Sequence, residues 1–134
     1  MRNKIHLFAC LGILCLILLV SCTKDNNSLV AFQPEITNAP DNFQLQATNV
    51  KDVTTTIDYN WNNSGSSATL NKSGVLNSGT AKVLIIDKNG TTVLTSDLKV
   101  TGDETTTIGV SGVWKIRLEL SSYNGTLNFR VQKK

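Results

Sequence analysis

From Asp41 to the C-terminus, apolar residues recur at every second position along most of the chain. Phe43, Leu45 and Ala47 alternate with polar neighbours, and Val53, Thr55, Ile57, Tyr59 and Trp61 share one side of the next run. A period of two sends successive side chains to opposite faces of an extended strand, so each run predicts a strand with one buried face. Ala68 and Leu70 mark a short strand. Ala81 to Ile86 is denser in apolar residues, as a strand covered on both faces would be. Thr91 to Leu94 follows, and Leu98 and Val100 continue after a break at Ser96-Asp97. At the end of the chain Trp114, Ile116, Leu118 and Leu120 point one way, and Leu127, Phe129 and Val131 repeat the pattern. No stretch after Cys22 keeps a helical period.

Turn-forming residues divide these runs. Asp87-Lys88-Asn89-Gly90 supplies hairpin chemistry, because Asn and Gly tolerate positive φ. The same reasoning applied to Ser121-Ser122-Tyr123-Asn124-Gly125 predicts that the two closing runs form an antiparallel hairpin. About eight short strands over residues 40–134 predict an all-β fold: a single antiparallel β-sandwich of immunoglobulin-like type, with a small barrel as the competing closure. No internal repeat is present. From Thr23 to Ala39 the chain is polar and aperiodic, with Pro34 and then Pro40 as punctuation, and reads as a flexible leader.

The N-terminus has a different character. Arg2 and Lys4 precede an unbroken apolar run from Leu7 to Val20, 14 residues long. That is the shape of a secretory signal and short for a spanning helix, which needs about 20 apolar residues. The run closes on Leu19-Val20-Ser21-Cys22, which resembles the bacterial lipobox at all four positions. The resemblance implies attachment of diacylglycerol to the Cys22 sulfur, cleavage before Cys22 and acylation of the new amine. It divides the chain into a signal peptide (1–21), a lipidated cysteine with a flexible tether (22–39) and a sandwich domain (40–134). Thr23-Lys24-Asp25-Asn26-Asn27 is similar to the Lys-Asp-rich export signals of surface lipoproteins of the Bacteroidota. The implied location is the outer membrane, lipid-anchored, on its periplasmic side or at the cell surface.

Composition changes its meaning once the signal is set aside. Arg2 and Lys4 are two of the 13 basic residues, so eleven then face ten acidic ones and the formal charge falls from +3 to +1. A near-neutral domain lacks the clustered basic surface that nucleic-acid binding requires. The only histidine, His6, and two of the three cysteines, Cys10 and Cys15, also lie in the signal. What remains cannot form a disulfide, a Ser-His-Asp or Cys-His nucleophile system, or an ordinary zinc site.

No catalytic residue, metal ligand or cofactor is therefore assigned. The chain is expected to be a non-enzymatic, lipid-anchored binding or accessory module of the cell envelope, for glycans or envelope proteins. Two alternatives stand beside it: a structural or adhesive surface lipoprotein without a small-ligand site, and a hydrolase built on two carboxylates. Trp61, beside the turn-rich Asn62-Asn63-Ser64-Gly65, and Tyr123, in the expected final turn, are the candidate ligand-stacking aromatics, with core packing as the competing reading. Asp87 and Asn89 offer calcium-type oxygens, although turn formation accounts for them. Lys115, Arg117 and Arg130, with Lys133 and Lys134 beyond, are expected on the outer face of the last hairpin.

Overall fold

The computed structural model describes residues 28–134; residues 1–27, which hold the expected signal peptide, Cys22 and the first part of the tether, lie outside the described residues. A single 3-10 turn, Leu29–Phe32, precedes seven strands: β1 (Glu35–Ala39), β2 (Asn42–Asn63), β3 (Ala68–Lys72), β4 (Val75–Ile86), β5 (Thr92–Asp97), β6 (Gly102–Thr105) and β7 (Gly112–Lys133). All pairings are antiparallel, and the seven strands form one sheet. The fold is all-β and sandwich-like.

Both layers of the sandwich come from that one sheet, because β2 and β7 are long enough to serve each layer in turn. Residues 42–47 of β2 pair with 127–132 of β7, and residues 55–63 pair with 112–120; the register is irregular between Ala47 and Thr55. In the first layer β1 lies outside β2, and β3 and β6 lie beyond β7. In the second, β4 and β5 extend from the N-terminal half of β7. The ends of β2 meet after the fold-over: the Asp41 N–H donates to the Asn62 carbonyl at 2.8 Å, and Phe43 lies 5.2 Å from Tyr59, centroid to centroid.

Residues with left-handed backbones make the bend. Asn49 (φ 53°) and Asp52 (φ 48°) sit in β2, Ser122 (φ 43°) and Gly125 (φ 153°) in β7, and Gly79 (φ 76°) in β4. Asn and Asp tolerate this region better than most side chains, and glycine adopts it without strain. Gly125 is needed for space as well, since a Cβ there would lie 2.0 Å from the Val75 carbonyl oxygen. Side chains stitch the bends of β2 and β7 together. The Asp52 N–H donates to Asn124 Oδ1 at 3.2 Å, and the Ser122 N–H donates to Thr54 Oγ1 at 2.8 Å.

Between the layers the alternating apolar residues form one core. Phe43, Leu45, Leu70, Ile85, Trp114, Ile116, Leu118, Leu127 and Phe129 are among its buried members. Complete burial of one such side chain contributes roughly 1.5–3 kcal/mol, so this face dominates stability. Trp61 and Trp114 close the end remote from the bend in an edge-to-face pair, 6.1 Å between centroids.

Three expectations need correction. The last two runs do not make a hairpin. Asn124-Gly125 bends β7 without reversing it, because both halves find their partner in β2; two mergers, the loss of the Leu98–Val100 run and the gain of β1 and β6 turn about eight expected strands into seven among the described residues. The leader does not extend to Ala39: Leu29 is 1% exposed, and Glu35–Ala39 pairs with β2. β1 escaped detection because an edge strand with every residue exposed carries no alternation. Finally, Val100 lies outside any strand and is exposed, while Leu98 alone is buried.

Candidate functional site

The two aromatics singled out as ligand platforms are core residues. Trp61 is 1% exposed, and its indole N–H donates to the Ala39 carbonyl at 3.2 Å. Tyr123 is 2% exposed, its hydroxyl donates to the Val75 carbonyl at 3.1 Å, and burial pushes its phenol up to about 12. Neither ring has a face open to a sugar. They are also far apart in the fold, Trp61 at the closed end and Tyr123 in the bend, so the sequence-based stacking site does not form. Trp61 looked exposed because polar turn residues follow it; the fold-over of β2 carries it against Trp114 and beneath the end of β1.

The basic cluster is divided and largely paired. Arg117 and Lys115 lie on the half of β7 that belongs to the second layer. Asp58 takes both N–H groups of the Arg117 fork, at 2.7 and 2.9 Å, and lies 3.4 Å from the Lys115 ammonium. Arg117 beside Asp58 holds that carboxyl below its usual range. Arg130, on the other half, donates to Gln44, and Lys133 pairs with Asp41 at 3.0 Å. Without a terminal hairpin there is no single basic face.

Asp87 is wholly committed to its loops. One carboxylate oxygen accepts from the Asn89 and Thr91 N–H groups, the other from the Val110 N–H at 2.9 Å. Those amides, Val110 first, keep its carboxyl below the ordinary value. Among the described residues no group of three or more acidic, histidine or cysteine side chains converges as a metal site would require. The other charged cluster joins the layers. The Lys72 ammonium, 4% exposed, bonds Glu104, Ser96 Oγ at 2.8 Å and the Asp97 carbonyl at 3.1 Å. Ser96 also donates to Glu104. A serine beside a lysine suggests nucleophile chemistry, but the Glu104 carboxylate draws on the same ammonium and Ser96 is buried. The Lys72 bond depresses the Glu104 carboxyl, as an ion pair does.

A concavity lies at the bend. A solvent-open cleft of about 360 Å³ is lined by Asn49, Val50 and Lys51 of β2, Asn77 and Ser78 of β4, and Asn124, Gly125 and Thr126 of β7. Binding pockets for small ligands begin near this size, although most have apolar walls. Here carboxamides and hydroxyls prevail, with one cation and no carboxylate. Asn124 is engaged on both atoms, accepting from Asp52 and donating to the Ser122 carbonyl at 3.0 Å. Asn49, Lys51, Asn77 and Ser78 are exposed. Lys51 makes no ion pair among the described residues. Strained backbone gathers at binding and catalytic sites more often than elsewhere, and here it coincides with the cleft.

Sequence reasoning passed over these residues because they fall where alternation lapses. The available signal was the coincidence of three such lapses, at Thr48–Asp52, Asn77–Gly79 and Ser121–Gly125, each rich in residues that accept positive φ. Comparison of the chain with family models, with curated proteins and with solved structures finds no match.

Proposed function

We propose that this chain is a lipid-anchored binding module of the bacterial cell envelope, without enzymatic activity, holding a polar, hydroxylated ligand, a glycan or another polyol, in the cleft at the bend. The cleft carries this reading: hydrogen-bonding side chains from three strands converge on a space of ligand size, and no aromatic ring is among the lining residues. Such a lining favours hydroxylated ligands over greasy ones. Without a ring to stack on, affinity per sugar is modest. The paired roles of Asp41, Asp58, Asp87 and Glu104 support a non-enzymatic reading over the carboxylate hydrolase, since each already serves a structural contact.

The lipobox resemblance at Leu19-Val20-Ser21-Cys22 supports anchoring through Cys22, and the residues that follow it support the outer membrane, on either side. Titrating oligosaccharides into isotope-labelled protein tests the ligand reading. Shifts confined to Asn49, Lys51, Asn77 and Thr126 are expected; a folded protein unmoved by a broad set of glycans and soluble polyol phosphates overturns it. One observation favours an adhesive reading that uses a protein partner. Ile108, Val110 and Val113 are exposed together in the loop and strand start at the end remote from the bend. If Ile108→Ser with Val113→Ser abolishes capture of an envelope protein while the cleft binds nothing, that reading replaces the first.

A further inference from the structure

The cleft and the start of β1 lie at the same end of the domain. Glu35, the first residue of β1, pairs with Gln46, one residue before the irregularity that begins at Ala47. The 3-10 turn just ahead of it packs against β2, and its Leu29 is buried. This fixes the chain seven residues after Cys22. Seven residues reach at most about 25 Å when extended. As a flexible coil they average roughly 13–16 Å. The leader predicted from sequence was more than twice as long and would have let the domain stand off in any orientation.

Resting on the reading of Cys22 as the anchor, we infer that the bend faces the bilayer and that its cleft takes an anionic, hydroxylated lipid headgroup from the same leaflet. The chemistry of the walls matches such a group. Lys51 is the only charged side chain among the lining residues and is free of an ion pair within the described chain, which suits a phosphodiester. The exposed amides of Asn49 and Asn77 and the hydroxyl of Ser78 suit the alcohols beyond it. The opposite end, with Ile108, Val110 and Val113, points away from the bilayer.

The test uses mature lipidated protein in phosphatidylethanolamine vesicles, with or without added phosphatidylglycerol. A single fluorophore is placed on Thr48→Cys beside the cleft or on Ile108→Cys at the far end; Cys22 does not compete, because its sulfur carries the lipid. A lipid with a spin-labelled headgroup is expected to quench the Thr48 label several-fold more than the Ile108 label. Phosphatidylglycerol should raise that contrast, soluble glycerophosphoglycerol should reverse the rise, and Lys51→Gln should abolish it. Equal quenching at both ends overturns the orientation. A contrast indifferent to phosphatidylglycerol and to Lys51→Gln overturns the headgroup assignment, and leaves a free glycan as the ligand if oligosaccharides still shift the cleft. Protein that fails to join vesicles and retains a free Cys22 thiol overturns the anchor reading and this proposal with it.

Discussion

Replacing Gly125 by alanine places a methyl carbon 2.0 Å from the Val75 carbonyl oxygen and 2.9 Å from the Tyr123 hydroxyl. Both neighbours are fixed, the first as backbone and the second as a buried ring bonded to that same carbonyl. Two costs add. Holding alanine at φ 153° strains the backbone by about 1–3 kcal/mol. Overpacking against atoms that cannot retreat contributes about 1–3 kcal/mol more. A loss of roughly 2–6 kcal/mol is a large part of the 5–15 kcal/mol typical of a domain, and corresponds to a fall in Tm of roughly 10–25 °C. Gly90→Ala is the internal control. Its φ of 83° also disfavours a side chain, yet nothing lies within 4 Å of the added carbon. It should cost only about 1 kcal/mol, partly offset by reduced freedom of the unfolded chain. Urea and thermal unfolding of the two variants, followed by circular dichroism, separate dihedral strain from steric closeness. If Gly125→Ala melts within a few degrees of Gly90→Ala, the three bends do not nest as described.

Other perturbations give signed expectations. Burial raises the phenols of Tyr59 and Tyr123, the latter to about 12, so tyrosinate absorbance should appear at higher pH in the folded protein than in the unfolded chain. Because these phenols ionise more readily when the chain unfolds, stability should decline between the ordinary phenol value and about 12; normal tyrosine titration with the fold intact would contradict their burial. Asp41, Asp58, Asp87 and Glu104 all have depressed carboxyls in the fold. Their contribution is complete above the ordinary carboxylate range and disappears as pH falls through the folded values, so urea midpoints should drop on acidification, and Glu104→Gln should flatten that slope. Trp61→Ala removes a buried ring and should cost about 3–5 kcal/mol; a variant that keeps wild-type stability would place Trp61 at the surface after all.

Much of the core was legible from alternation alone. Phe43, Leu45, Ala47, Trp114, Ile116, Leu118, Leu127, Phe129 and Val131 all face inward as their period of two predicts. The Asp87–Gly90 turn also forms as its residues suggest, joining β4 to β5. The bend was not legible. Asn124-Gly125 has the same local preferences whether the chain reverses or merely kinks, and the choice is made by β2, whose own kink at Asn49 and Asp52 offers a partner to both halves of β7. For the same reason Tyr123 moved from an expected loop tip to the core. The cleft follows from three kinks coinciding, a long-range register that no single segment encodes. Burial of Leu29 was equally hidden, because one leucine in a polar stretch carries no period.

The most direct measurement is the mass of the N-terminal peptide of the protein recovered from cells. The expected peptide begins at Cys22 and carries a diacylglyceryl thioether with an acylated amine, and Cys22→Ala should eliminate incorporation of a fatty-acid analogue. A peptide in which Ser21 and Cys22 remain joined, or in which the Cys22 thiol reacts freely, would contradict the claim that this domain is held to a membrane by its first residue.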